Sequence, residues 1–137
     1  MTNPFTARNR LVVEAFGRAR ESYLRNEVGP AIEELARIVD KFPEETGARL
    51  YLALYLGQEK RFDEAIDHSR EAVRLRPDLE KASAILFHLL TAAGQCDKAF
   101  EEAKRYAADG DITHYLKDRL KECILDTSSI DEEAIAD

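Results

Sequence analysis

The chain has 137 residues, 45% of them hydrophobic and 34% charged, with a formal net charge of −7. That length suits one domain with a real core, and short β-branched runs argue against extended sheet. Asp126–Asp137 holds five acids and no base, so the remainder carries −2, a mixed surface without the basic stripe that binding to nucleic acid requires.

The pattern predicts about seven helices. The first spans about Ala7 to Asn26, with Leu11, Val12, Ala15, Phe16, Ala19 and Tyr23 at helical spacing. Gly29-Pro30 breaks it, and Pro30 suits the first turn of the second helix. That helix uses Ile32, Leu35, Ala36, Ile38 and Val39 and ends before Pro43. The third runs from about Glu45 to Glu59 and the fourth from about Phe62 to Leu75, where Pro77 stops it. Asp78 is a good N-cap for the fifth, about Leu79 to Ala93, which Gly94 ends. The sixth covers about Cys96 to Ala108, with Gly110 as its C-cap residue. Asp111 caps the seventh, which presents Ile112, Tyr115, Leu116, Leu120, Cys123 and Ile124 on one face to cover the end of a stack. From Asp126 a flexible acidic tail is expected.

A fixed period runs through these elements. Ala31, Ala65 and Ala99 stand 34 residues apart, as do Val28, Phe62 and Cys96, and Pro43 and Pro77. Such a period marks a solenoid in which one helical hairpin is copied and stacked. The copies fall at about 12–45, 46–79 and 80–113, within a single domain at 7–125 that ends in a capping helix at 111–125; 126–137 is the tail.

The repeated unit resembles a tetratricopeptide repeat. The second copy carries the resemblance most fully: Leu52-Ala53, then Phe62-Asp-Glu-Ala65-Ile66, then Glu71-Ala72-Val73 and Leu75 with the closing Pro77. The third keeps Leu86, Leu90, Gly94, Ala99 and Ala103 but has Phe87, Cys96 and Tyr106 at departing positions; the first keeps Ala19, Val28, Ala31 and Pro43 but has Arg18, Ser22 and Ile38. Atypical terminal copies are usual where one face has no neighbour. The resemblance implies an all-α fold, a right-handed superhelix of antiparallel helix pairs. Small residues such as Ala53, Ala65 and Ala72 would let backbones approach, and large ones would fill the holes between hairpins.

In that family the first helices of successive repeats line a concave groove. The resemblance places there Phe16, Arg20 and Tyr23, then Leu50, Tyr51, Leu54 and Gly57-Gln58, then Lys81, Ala84, Ile85, His88 and Thr91. Members that grip the C-terminal carboxylate of heat-shock chaperones use a Lys, Asn and Arg cluster. Here Phe16, Tyr51 and Ile85 occupy three of its five places, Arg20 stands where Asn is usual, and only Lys81 matches. The groove therefore reads as apolar and aromatic, with Lys81 and Arg20 able to pair with acids on a partner. The seven-residue run Leu50–Leu56 is apolar nearly all round and must be covered on more than one side. Either its own neighbours cover it, or Leu50, Tyr51 and Leu54 form an exposed stripe awaiting a partner segment.

Nothing in the pattern points to an enzyme or a cofactor. His68, His88 and His114 share no ligand spacing with each other or with Cys96 and Cys123. There is no phosphate loop and no nucleophile elbow. Cys96 starts a helix but sits at a packing position, so it reads as buried and inert. The cysteines read as reduced thiols. The first residues lack a secretory pattern, and the longest apolar run is far short of the roughly 20 residues that span a bilayer. The resulting expectation is a cytoplasmic module with no membrane and no nucleic-acid partner, binding a peptide or helical segment of another protein as adaptor or chaperone. Bacterial secretion chaperones of this fold are one specific analogue. A homodimer closed by the apolar stripe is the structural alternative.

Overall fold

The computed structural model describes residues 4–107. They form six helices: α1 Pro4–Leu24, α2 Val28–Lys41, α3 Thr46–Gln58, α4 Phe62–Leu75, α5 Glu80–Ala92 and α6 Cys96–Tyr106. The helix expected from Asp111 with its Asp111 cap, the Gly110 cap expected for the sixth helix, and the acidic tail lie outside the described residues. Each helix packs on the next in order, and α3 also touches α5. The result is three stacked hairpins, α1/α2, α3/α4 and α5/α6, an α-solenoid.

The second helices are amphipathic, and their buried faces repeat. Ala31, Ile32, Leu35, Ile38 and Val39 of α2 are buried, as are Ala65, Ile66, Ser69, Ala72 and Val73 of α4, and Ala99, Glu102 and Ala103 of α6. The two buried polar groups in this set are satisfied: the Ser69 hydroxyl donates to the Ile66 carbonyl at 3.0 Å, and Glu102 accepts twice from Arg105 at 2.7 Å. The first helices of the second and third hairpins are covered more widely. In α5 every residue from Ala82 to Phe87 is buried, as a helix flanked on several sides must be.

The turns inside the hairpins are made by backbone alone. Asn26, Lys60 and Gly94 adopt positive φ, at 63°, 61° and 79°. Each sits at the same place, one period apart. The next residue's N–H then reaches back to the carbonyl of Ser22, Leu56 or Leu90, at 2.8, 2.9 and 2.8 Å. This is the six-to-one bond of a Schellman motif, which satisfies the last carbonyls of a helix. No side chain caps α2, α4 or α6. Gly94 takes the left-handed conformation freely and Asn26 tolerates it, but Lys60 is strained there. Lys60→Gly is expected to stabilise the fold by about 0.5–1 kcal/mol, since relief of the side-chain clash exceeds the entropy that glycine adds to the unfolded chain. Urea unfolding checks it, and a lowered midpoint would contradict it.

Two sequence expectations are corrected. Asp78 does not cap α5; the flanking residue is Leu79, and no side chain caps that helix. Asp78 instead sits third in a turn whose Leu79 N–H bonds the Arg76 carbonyl at 3.2 Å, with Pro77 second, the place proline favours. Cys96 is exposed rather than buried. The equivalent Phe62 is partly buried against the core, and a thiol is too short to follow a ring there.

Candidate binding cleft

The first helices of the first two hairpins enclose a cleft of about 600 Å³, lined by Phe16, Gly17, Arg20, Tyr23, Leu24, Tyr51, Leu54, Tyr55 and Gln58. On α1, Ala15 and Ala19 turn into the core, so the next faces of the helix bring Phe16, Arg20 and Tyr23 to the cleft edge. On α3, Tyr51, Leu54, Tyr55 and Gln58 fall at spacings of three and four and share one side.

Aromatic rings make the floor. Phe16 meets Tyr51 edge-on, centroids 5.2 Å apart, and Tyr23 stacks on Tyr55 at 4.8 Å and 14°. Tyr51 and Tyr55 lie 6.4 Å apart along α3. These geometries match the offset and T-shaped arrangements that ring quadrupoles favour. The Gln58 side-chain amide donates to the Tyr23 hydroxyl at 2.8 Å, which fixes that ring. Lys81 reaches across from α5, its Nζ 4.9 Å from the Tyr51 centroid, a cation–π contact. Burial chiefly, and then the neighbouring Tyr51 and Tyr23, push the Tyr55 phenol above its ordinary value, while Arg20 pulls it the other way. The Tyr55 phenol is therefore uncharged at neutral pH. Arg20 is the one charged side chain in the lining, and the lining contains no carboxylate.

Of the residues expected in the groove, Phe16, Arg20, Tyr23, Tyr51, Leu54 and Gln58 come together in the cleft, with Lys81 at its rim. Leu50 does not: it is 3% exposed and belongs to the core. One position before Tyr51, it is turned about 100° away around the helix. Gly57 faces α5, where an added Cβ would stand 2.6 Å from Leu89 Cδ2, so its lack of a side chain serves helix packing. Ala84 and Ile85 are 8% and 7% exposed and do not line the cleft. His88 lies edge-on to Phe87, centroids 5.9 Å apart, and the Thr91 hydroxyl donates to the Phe87 carbonyl at 2.9 Å. The cleft is thus lined from α1 and α3, and the expected α5 residues other than Lys81 do not reach it. Gly17, Leu24 and Tyr55 escaped the sequence reading, although Tyr55 and Leu24 stand four residues after Tyr51 and Arg20, the spacing that shares a helix face.

Elsewhere, His68 is half-buried on α4 with Nδ1 3.2 Å from Arg49 Nη1. Burial first, and then the Arg49 charge, hold it below its ordinary value, so it accepts a hydrogen bond as the neutral imidazole. Among the described residues no group of three or more His, Cys, Asp or Glu could hold a metal ion. No helix among them is long and apolar enough to cross a membrane.

Stacked hairpins of this length, joined by short turns and packed through small residues at one-period intervals, define a tetratricopeptide-repeat fold. Solved structures agree. The TPR2B domain of yeast Sti1, in a pHsp70 complex, superposes with a TM-score of 0.69 at 15% identity, over 85% of this chain and 98% of that one. The first such domain of Spaghetti (RPAP3), bound to the HSP90 peptide SRMEEVD, gives 0.67 at 15% identity, over 82% and 95%. An O-GlcNAc transferase from Thermobaculum terrenum gives 0.66 at 20% identity, but this chain spans only 20% of its length. No family model matches the sequence, and no curated protein matches it.

Proposed function

We propose that this chain is a protein-interaction module that holds a peptide segment of a partner protein in the α1–α3 cleft, acting as an adaptor or chaperone in the cytoplasm. The observation that carries this reading is the cleft itself: a concavity of about 600 Å³, floored by four aromatic rings and free of carboxylates. Such a surface gains by burying apolar side chains and has few polar groups to desolvate. The Sti1 and Spaghetti domains, similar in fold, are seen with Hsp70 and with an HSP90 peptide, which supports peptide binding as the use of the scaffold. The mode differs. Of the five positions that grip a terminal carboxylate in chaperone-binding members, only Lys81 is matched, and its ammonium lies over the Tyr51 ring. Binding here rests on ring contact and burial. No chemistry is assigned to the module.

Leu54 is half-buried in the cleft wall, packed on the core from one side and open to the cleft on the other, so a charge there meets the partner directly. Leu54→Glu is expected to weaken partner binding at least tenfold, on the order of 1.4 kcal/mol or more, with an unchanged circular dichroism spectrum. Paired capture from native lysate with wild type and variant checks it. A partner retained equally by both would move the binding site elsewhere. A wild-type chain that captures nothing and scatters light at a mass near twice 15.5 kDa would favour self-association over a foreign partner.

A further inference from the structure

We infer that the segment held in the cleft crosses α1 at Gly17, seats one aromatic or long aliphatic side chain among Phe16, Tyr23, Leu54 and Tyr55, and carries an acidic residue beside that anchor to pair with Arg20. This rests on the cleft being the binding site and adds the chemistry of its occupant. Gly17 is the first observation. It lies mid-helix in α1, where glycine is less stable than alanine. Nothing in the fold demands it: its φ is not left-handed, and an added Cβ would find no atom within 4 Å. Gly57 is the contrast, since Leu89 fills the space above it. Gly29 is also open, but it stands in the first turn of α2, away from the cleft. The space over Gly17 is cleft space, and a missing side chain there admits the backbone of another chain.

Charge is the second observation. Arg18 pairs with Glu34, but Arg20 forms no ion pair among the described residues. Arg20 and the Lys81 ammonium border a floor without carboxylates. Cations around an apolar pocket favour an acid next to an apolar anchor and oppose a basic segment. The four rings form a contiguous apolar floor in a cleft of about 600 Å³, which has room for a large apolar anchor.

The test is a library of random 12-residue peptides, displayed with the C-terminus blocked by fusion and selected on the full chain against Leu54→Glu as counter-target. Selected peptides should share an aromatic or aliphatic anchor with Asp or Glu within a few positions. Gly17→Leu should weaken them about tenfold or more. Gly17→Ala should weaken them a few-fold while raising Tm by roughly 2–6 °C, a split that a purely structural glycine would not give. Arg20→Glu should redirect selection to Lys and Arg. Peptides that depend on Leu54 but lack acids, or bind Gly17→Leu and Gly17→Ala as well as wild type, overturn this inference and leave the cleft as the site. Enrichment only from a library with free C-termini overturns it in favour of terminal-carboxylate recognition. No peptide that prefers wild type over Leu54→Glu overturns the cleft reading as well.

Discussion

Leu52→Ala is expected to lower the unfolding free energy by about 3 kcal/mol, within the roughly 2–5 kcal/mol seen when a buried leucine is truncated. Leu52 is 2% exposed and among the largest fully buried side chains. It sits on α3, which packs against α2, α4 and α5. In a solenoid, stability is close to a sum of unit terms and nearest-neighbour interfaces. A cavity on α3 weakens its own hairpin and the contacts to both sides, so little of it can be recovered by local collapse. Urea unfolding with an unchanged slope reads the loss directly. A loss below about 1 kcal/mol would mean that the stack closes over the missing atoms, and the packing described here would be wrong at its centre.

Ala65→Leu has the opposite cause and a comparable size. Ala65 is fully buried on α4, and Ala31 and Ala99 hold the same place one period away. α4 lies between α3 and α5, and a methyl group is all the space between the helices allows. Three added carbons must push helices apart or force unfavourable rotamers, at about 1–3 kcal/mol. Ala72→Leu, two turns farther along the buried face of the same helix, should behave alike. Thermal melts of the two variants check the expectation, and an unchanged Tm in either would refute the close approach at that residue.

The hairpins could be read from the sequence because their punctuation is chemical. Prolines at 43 and 77 and small residues at 31, 65 and 99 fix where chains turn and where helices touch, and α4 runs between the expected Phe62 and Leu75. The cleft was less legible, for a reason that lies in α3 and α5. Where a helix is apolar nearly all round, hydrophobicity no longer marks direction. Leu50 and Tyr51 look equally suited to a groove, yet one is core and the other lies against Phe16. Ala84 and Ile85 fail for the same reason. Lys60 carries no signal of its left-handed backbone, because lysine is not a residue that prefers it. Only its register with Gly94 could have revealed it.

The stacked Tyr23 and Tyr55 rings join side chains of different hairpins. A guest lodged beside them is a wedge at a joint, and the angle between adjacent hairpins becomes the quantity that its fit sets. Under the proposed reading, the fit of a segment and the angle of this joint are linked, because the rings that floor the cleft come from both hairpins.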